Sequence, residues 1–229
     1  MARYTKPVIR YDARQRSFAV CLSALAGFVD AIGFIATGGF FVSFMSGNST
    51  RLAVGVAQHH AAALFALQLI ATFVGGVVIG SMIGRMAGRY RHPLILAWMA
   101  LLLALAGTAG QFGAVWSAAG LMALAMGAEN TVFEEDGEVR LGLTYMTGTL
   151  VKLGQRLAAA VLGGPRWAWL PHFYLWIGLV GGAITGAATF PLLGFGGLWI
   201  ASAVLVVLAV FTLFHGEVLF GVPIAEDAA

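Results

Sequence analysis

At 229 residues, 60% hydrophobic and only 10% charged, the chain has too few charged side chains to cover a water-facing surface; a soluble domain carries about a quarter. The net charge of +3 comes from basic residues in short clusters between apolar runs, a pattern that orients membrane proteins and does not describe a nucleic-acid surface. Cys21 is the single cysteine, which excludes an intrachain disulfide and a cysteine-based metal site.

These limits predict an all-α integral membrane protein, one membrane domain over residues 1–229. The N-terminal stretch "MARYTKPVIRYDARQR" is basic, and the chain turns apolar from Ser17. That apolar run is longer than a signal peptide's core, contains Asp30 and has no A-x-A-like end, so it reads as an uncleaved first span. Six stretches approach the ~20 apolar residues a spanning helix needs: about 17–37, 61–84, 93–112, 116–133, 172–190 and 195–215. Two shorter stretches, about 44–58 and 146–161, fall after the first and fourth spans. Each opens on a glycine and hydroxyl cluster, "SGNST" or "TGT", suited to capping a helix start. Both read as half-helices or interfacial helices.

With the N-terminus in the cytoplasm, Arg3, Lys6, Arg10, Arg14 and Arg16 lie inside. So do Arg85, Arg89 and Arg91, and later Arg140, Lys152, Arg156 and Arg166, leaving Arg51 toward the outer side. That assignment obeys the positive-inside rule and puts both termini in the cytoplasm. Trp167 and Trp169 suit an interfacial aromatic belt.

The chain also repeats itself. "GFVDAIGF" (27–34) matches "GAENTVF" (127–133), setting Asp30 opposite Asn130. "FMSGNSTRL" (44–52) matches "YMTGTLVKL" (145–153), setting Arg51 opposite Lys152. "FVGGVVIG" (73–80) matches "LVGGAITG" (179–186). Each copy, about 17–112 and 116–215, holds three spans, and an odd number makes the second copy enter the membrane from the opposite side. The expected architecture is therefore six transmembrane helices in two inverted-topology three-helix repeats, each with a short broken or half-helix, a construction shared by many secondary transporters.

"GFVDAIGF…GGFF…FMSGN" and "AMGAENTVF…TYMTGTLVKLG" resemble the YoaK-like (UPF0700) family of bacterial multi-span inner-membrane proteins over nearly the whole chain. The resemblance implies a multi-pass protein of the bacterial inner membrane and names no substrate. The chain departs from that family's pattern at Glu129, where glutamine is expected, and in the acidic loop "EEDGEV" (134–139).

Asp30 sits well inside the first span, where a central acid costs about 2.5–3.5 kcal/mol on insertion scales, so it must face the bundle interior. It is expected either to carry a proton or cation or to hydrogen-bond a neighbouring or broken helix. Glu129 is expected at a solvated cytoplasmic helix end, with Asn130 bonded to another helix. The two half-helix starts present unpaired N–H groups and a partial positive charge. If they converge, Ser46, Gly47, Asn48 and Ser49 with Thr147, Gly148 and Thr149, and Arg51 and Lys152 one turn on, would hold an anion or carboxylate. The bland alternative is ordinary capping, with the two cations snorkelling to lipid phosphates. The GGxxxG pairs read as helix-packing faces, which also permit a homodimer. The loop 134–140 reads as a solvated turn. Scattered histidines without H-E-x-x-H spacing predict no metal, and no cofactor or catalytic motif is present.

The expected function is a small secondary transporter or permease for a small anionic or zwitterionic solute, bound between the repeats, with Asp30 coupling or gating; it is not expected to be an enzyme. The alternative is a non-transporting membrane module that binds a partner protein or lipid.

Overall fold

A computed structural model of the chain describes residues 13–59, 61–135, 138–139 and 145–220. Arg3, Lys6, Arg10, His60 and Arg140 lie outside the described residues, as do both terminal tails. The described chain is helical apart from a two-residue β pair, in which Glu134–Glu135 (β1) runs antiparallel to Glu138–Val139 (β2). The helices are α1 (Ala13–Ala36), α2 (Met45–Ala57), α3 (Ala62–Met86), α4 (Arg91–Gln111), α5 (Val115–Glu129), α6 (Met146–Val161), α7 (Leu170–Leu193) and α8 (Gly197–Phe220). Long apolar runs become helices here because lipid offers backbone groups no partner, and a helix satisfies them within one segment.

Four segments have the length and hydropathy to cross a membrane: Arg14–Ala36, Ala62–Met86, Gly88–Gln111 and Leu170–Gly216. The last is 47 residues long and takes in α7, the 3-10 turn Gly194–Gly196 and α8. The fourth span expected from the sequence is shorter than anticipated: α5 has 15 residues and ends at Glu129. There Thr131 donates its hydroxyl to the Ala128 carbonyl and Val132 N–H bonds Glu129 O, so the chain turns while still apolar. Outward faces carry Leu67, Val74 and Val78 on α3, and Val207, Val210 and Phe214 on α8, all exposed. The molecule is a helical membrane protein.

Helices pack through small residues, because between helices in lipid close van der Waals approach replaces the expulsion of water. α1 crosses α7 where a Cβ on Gly27 would overlap the Leu179 carbonyl, one on Gly182 the Ala24 carbonyl, and one on Gly186 the Phe28 carbonyl. α5 crosses α3 in the same manner: Gly127 lies against the Phe73 carbonyl, Gly76 against the Leu124 carbonyl, and Gly80 against Ala128 and Thr131. The two crossings match position for position, 27 with 127, 182 with 76, and 186 with 80. Their neighbours match too, 179 with 73, 24 with 124, and 28 with 128. The glycine faces read from the sequence are thus filled within the chain. Gly75 and Gly181, the first members of each pair, stand outside the crossings: Gly75 meets only the Leu124 side chain and Gly181 nothing.

α4 and α8 pack against each other, tied by a 2.7 Å bond from the Ser202 hydroxyl to the Ala100 carbonyl. α4 also packs on α5, α2 on α3, and α6 on α7. The core is apolar and continuous, with Leu22, Ile32, Leu69, Met99, Met122 and Leu198 fully buried.

Candidate functional site

The break between α1 and α2 organises the polar interior. α1 ends at Ala36 and the chain turns at Gly38 and Gly39, whose φ values of 70° and 111° lie in the region that favours glycine. The reversed chain then runs back beside α1 over residues 40–44, with Val42 and Ser43 buried. Nonhelical backbone at membrane depth needs partners from side chains. Asp30 supplies two: its Oδ1 accepts from Val42 N–H at 2.7 Å and Ser43 N–H at 2.8 Å. Asn48, fully buried on α2, supplies two more: its Oδ1 accepts from Phe41 N–H at 3.1 Å and its Nδ2 donates to Phe41 O at 2.6 Å. The carboxylate, the carboxamide and the Thr37 hydroxyl, which accepts from Phe40 N–H at 3.0 Å, hold the reversed segment.

The expected hydroxyl caps are not made. The residues flanking the starts of α2 and α6 are Phe44 and Tyr145, neither with a side-chain cap bond. The hydroxyls lie within the first turns and donate backward instead: Ser49 to Met45 O at 2.8 Å, Thr50 to Ser46 O, and Thr149 to Tyr145 O. A hydroxyl already inside a helix finds the preceding turn's carbonyl nearer than any free N–H, which is the competition that makes Ser and Thr ambiguous near helix ends. Ser46 and Ser49 are exposed, and Gly47 packs under the Phe41 and Phe44 rings.

Arg51 does not lie over its own helix start. Its guanidinium sits 4.8 Å above the Phe40 ring and beside Gly39, where a Cβ would come within 2.8 Å of Nη2. It lines an open groove of about 470 Å³ with Phe40, Thr50, Val54, Gly55 and Gln58.

The second half arranges its residues differently. Thr149 is buried, Gly148 partly buried, and Thr147 and Lys152 are exposed. α6 packs against α7, whereas α2 packs against α3, and no extensive packing joins α2 to α6. The structure thus gathers Asp30, Asn48 and Arg51 around one reversed segment and leaves Thr147, Gly148, Thr149 and Lys152 with α7. Asn130 is buried at the end of α5 and donates to Met126 O at 2.9 Å, within its own helix.

Glu129 corrects the expectation of a solvated helix end. It is 0% exposed, and neither carboxylate oxygen has a hydrogen-bond partner. Asp30 and Cys21, both on α1, are close enough to interact with it electrostatically. The available sequence signal was the apolar continuation: Val132 and Phe133 follow Glu129 and are themselves buried, so the chain has not reached water there. Glu134 is likewise no solvated turn residue. It is buried, accepts a 2.6 Å bond from the Ser81 hydroxyl and lies 4.0 Å from Arg85 Nη2. Residues 136–137 and 140 of that loop fall outside the described residues. Arg91 donates from Nη2 to Thr131 O at 2.8 Å, pinning the turn after α5 to the start of α4. Among the described residues no three His, Cys, Asp or Glu side chains gather in a group suited to a metal ion.

Residues 18–211 match a family described as "Protein of unknown function (DUF1275)". The chain is also 36% identical over 204 residues to a UPF0700 transmembrane protein of Rhizobium meliloti (strain 1021), covering 86% of each sequence. No solved structure matches.

Proposed function

The chain belongs to the DUF1275 family, the UPF0700 group of transmembrane proteins, and from that premise we propose that it is a small secondary transporter or permease. In this reading it crosses the bacterial inner membrane six times as two inverted three-helix repeats. Both termini are cytoplasmic, and it carries a small anionic or zwitterionic solute without catalysing a reaction. α5 would make the fourth pass, and α7 and α8 the fifth and sixth. The position-for-position match of the two glycine crossings supports the repeat, since an inverted duplication requires α1 on α7 to be echoed by α5 on α3.

The observation that carries the transporter reading is the reversed segment 40–44, held on Asp30 and Asn48 inside an apolar bundle. Interrupted helices are where transporters of this architecture place solute and coupling sites. Arg51, beside the break and facing an open groove, is the cation best placed for a solute's carboxylate. Asp30 gates in this scheme: releasing Val42 and Ser43 frees the segment. Alternating access would rock one repeat against the other.

The test is saturable uptake of radiolabelled small zwitterions and organic anions into proteoliposomes. Uptake should fall at least tenfold in Arg51→Gln and in Asp30→Ala. A panel with no saturable uptake by the wild type would sink the transporter.

A second reading, a non-transporting module that binds a partner protein or lipid, draws on the same carboxylate. Asp30 bonds neighbouring backbone, as a purely structural acid would. Wild-type reconstitution without flux, but with a dissociable lipid or protein partner, favours it.

A further inference from the structure

Among the described residues Glu129 is an interior acid whose carboxylate oxygens find no hydrogen-bond partner, a state it shares with the Trp98 indole N–H. Asp30, Asn48, Asn130, Ser23, Thr149 and Ser202 each make at least one hydrogen bond, to a backbone group. Glu129 is as buried as any of them, and both its oxygens are without a donor. An ionised carboxylate left in that state would cost several kcal/mol. Something must neutralise it, and the possible occupants differ in what they need. A metal ion requires a shell of oxygen ligands, and no group of three or more candidate side chains surrounds Glu129 among the described residues. A solute requires room, and Glu129 has no exposed surface. A proton requires neither.

We propose that Glu129 is an interior proton-binding site, occupied in the conformation described here, and that its occupancy is linked to the docking of the broken helix through Asp30. α5 packs on α1, α3 and α4. From α1 the facing groups are Asp30 and Cys21. On α3, Arg85 pairs with Glu134. From α4, Arg91 bonds the Thr131 carbonyl two residues along, and His92 stacks on Phe220. Among the described residues the charged neighbour that acts on Glu129 is Asp30. Losing the proton to water would set a second negative charge beside the carboxylate that holds Val42 and Ser43. Repulsion then weakens that hold, and by reciprocity release of segment 40–44 makes the proton easier to lose. In the transporter reading this is the coupling step. The site itself is an equilibrium property and does not depend on flux.

The experiment is infrared difference spectroscopy across a pH titration of the full chain in lipid nanodiscs, in H2O and D2O. Wild type should show a protonated-carboxyl carbonyl band that shifts in D2O and titrates away, and Glu129→Gln should lack it. Asp30→Asn, which removes the facing charge, should displace the band's titration midpoint. If Glu129→Gln does not fold, Glu129→Asp serves, with the band retained at a changed frequency. Identical carboxyl spectra in wild type and Glu129→Gln would overturn the proposal. So would thermal stabilisation by Na+ but not choline that disappears in Glu129→Gln, since the occupant would then be a metal cation. A wild-type band without solute uptake in proteoliposomes leaves the proton site standing and removes the transporter.

Discussion

Asp30 and Asn48 are the residues on which the polar interior turns, and each is replaceable by a near-isostere that separates shape from chemistry. Asp30→Asn keeps an oxygen for Val42 and Ser43 N–H, whereas Asp30→Ala orphans both. An unsatisfied buried donor costs about 1–3 kcal/mol, so Asp30→Ala should lose clearly more thermal stability in detergent than Asp30→Asn. Equal losses would show that the two bonds contribute little. Asn48→Asp keeps the acceptor for Phe41 N–H but loses the donor to Phe41 O and buries a further acid. It should therefore destabilise by more than about 1 kcal/mol on chemical unfolding. Asp30 was legible because an acid in an apolar run stands out. Glu129 was not, because it lies where a span was expected to end, and only the buried Val132 and Phe133 beyond it reveal that the bundle continues.

At the scale of the element, the glycine crossings carry predictions with internal controls. Gly182 and Gly76 lie against backbone carbonyls of the facing helices, while their neighbours Gly181 and Gly75 meet open space or one side-chain methyl. Gly182→Ala and Gly76→Ala should force α1 from α7 and α3 from α5. Overpacking of this kind costs about 1–3 kcal/mol. Gly181→Ala and Gly75→Ala should be near neutral in thermal melts, or stabilising through reduced freedom of the unfolded chain. A melt that ranks all four alike would contradict the close approach. The half-helices show the reverse lesson. Their hydroxyl clusters look like caps in the sequence, yet the helices begin one residue earlier, at Met45 and Met146, and the hydroxyls turn back onto carbonyls. Element existence was readable there, and end chemistry was not.

For the molecule as a whole, the six-pass arrangement predicts alternating sidedness of the turns. In a Cys21→Ser background, single cysteines at Gln58, Phe112 and Phe195 should react with a membrane-impermeant maleimide from the outer face. Cysteines at Gly88 and Gly164 should react only from the cytoplasmic face. Labelling of Gly88→Cys and Phe112→Cys from the same side would remove the fourth helix as a pass. The sequence by itself determined that this is a helical membrane protein, where its helices fall, and which glycines repeat. Those properties follow from local hydropathy and spacing, which lipid reads segment by segment. Only the tertiary structure decided that Asp30 holds reversed backbone, that Glu129 is enclosed without a partner, and that α6 pairs with α7 rather than with α2. A side chain's partner is set by which segments approach closely enough to exclude everything else, and for Glu129 and α1 that approach joins residues about a hundred positions apart.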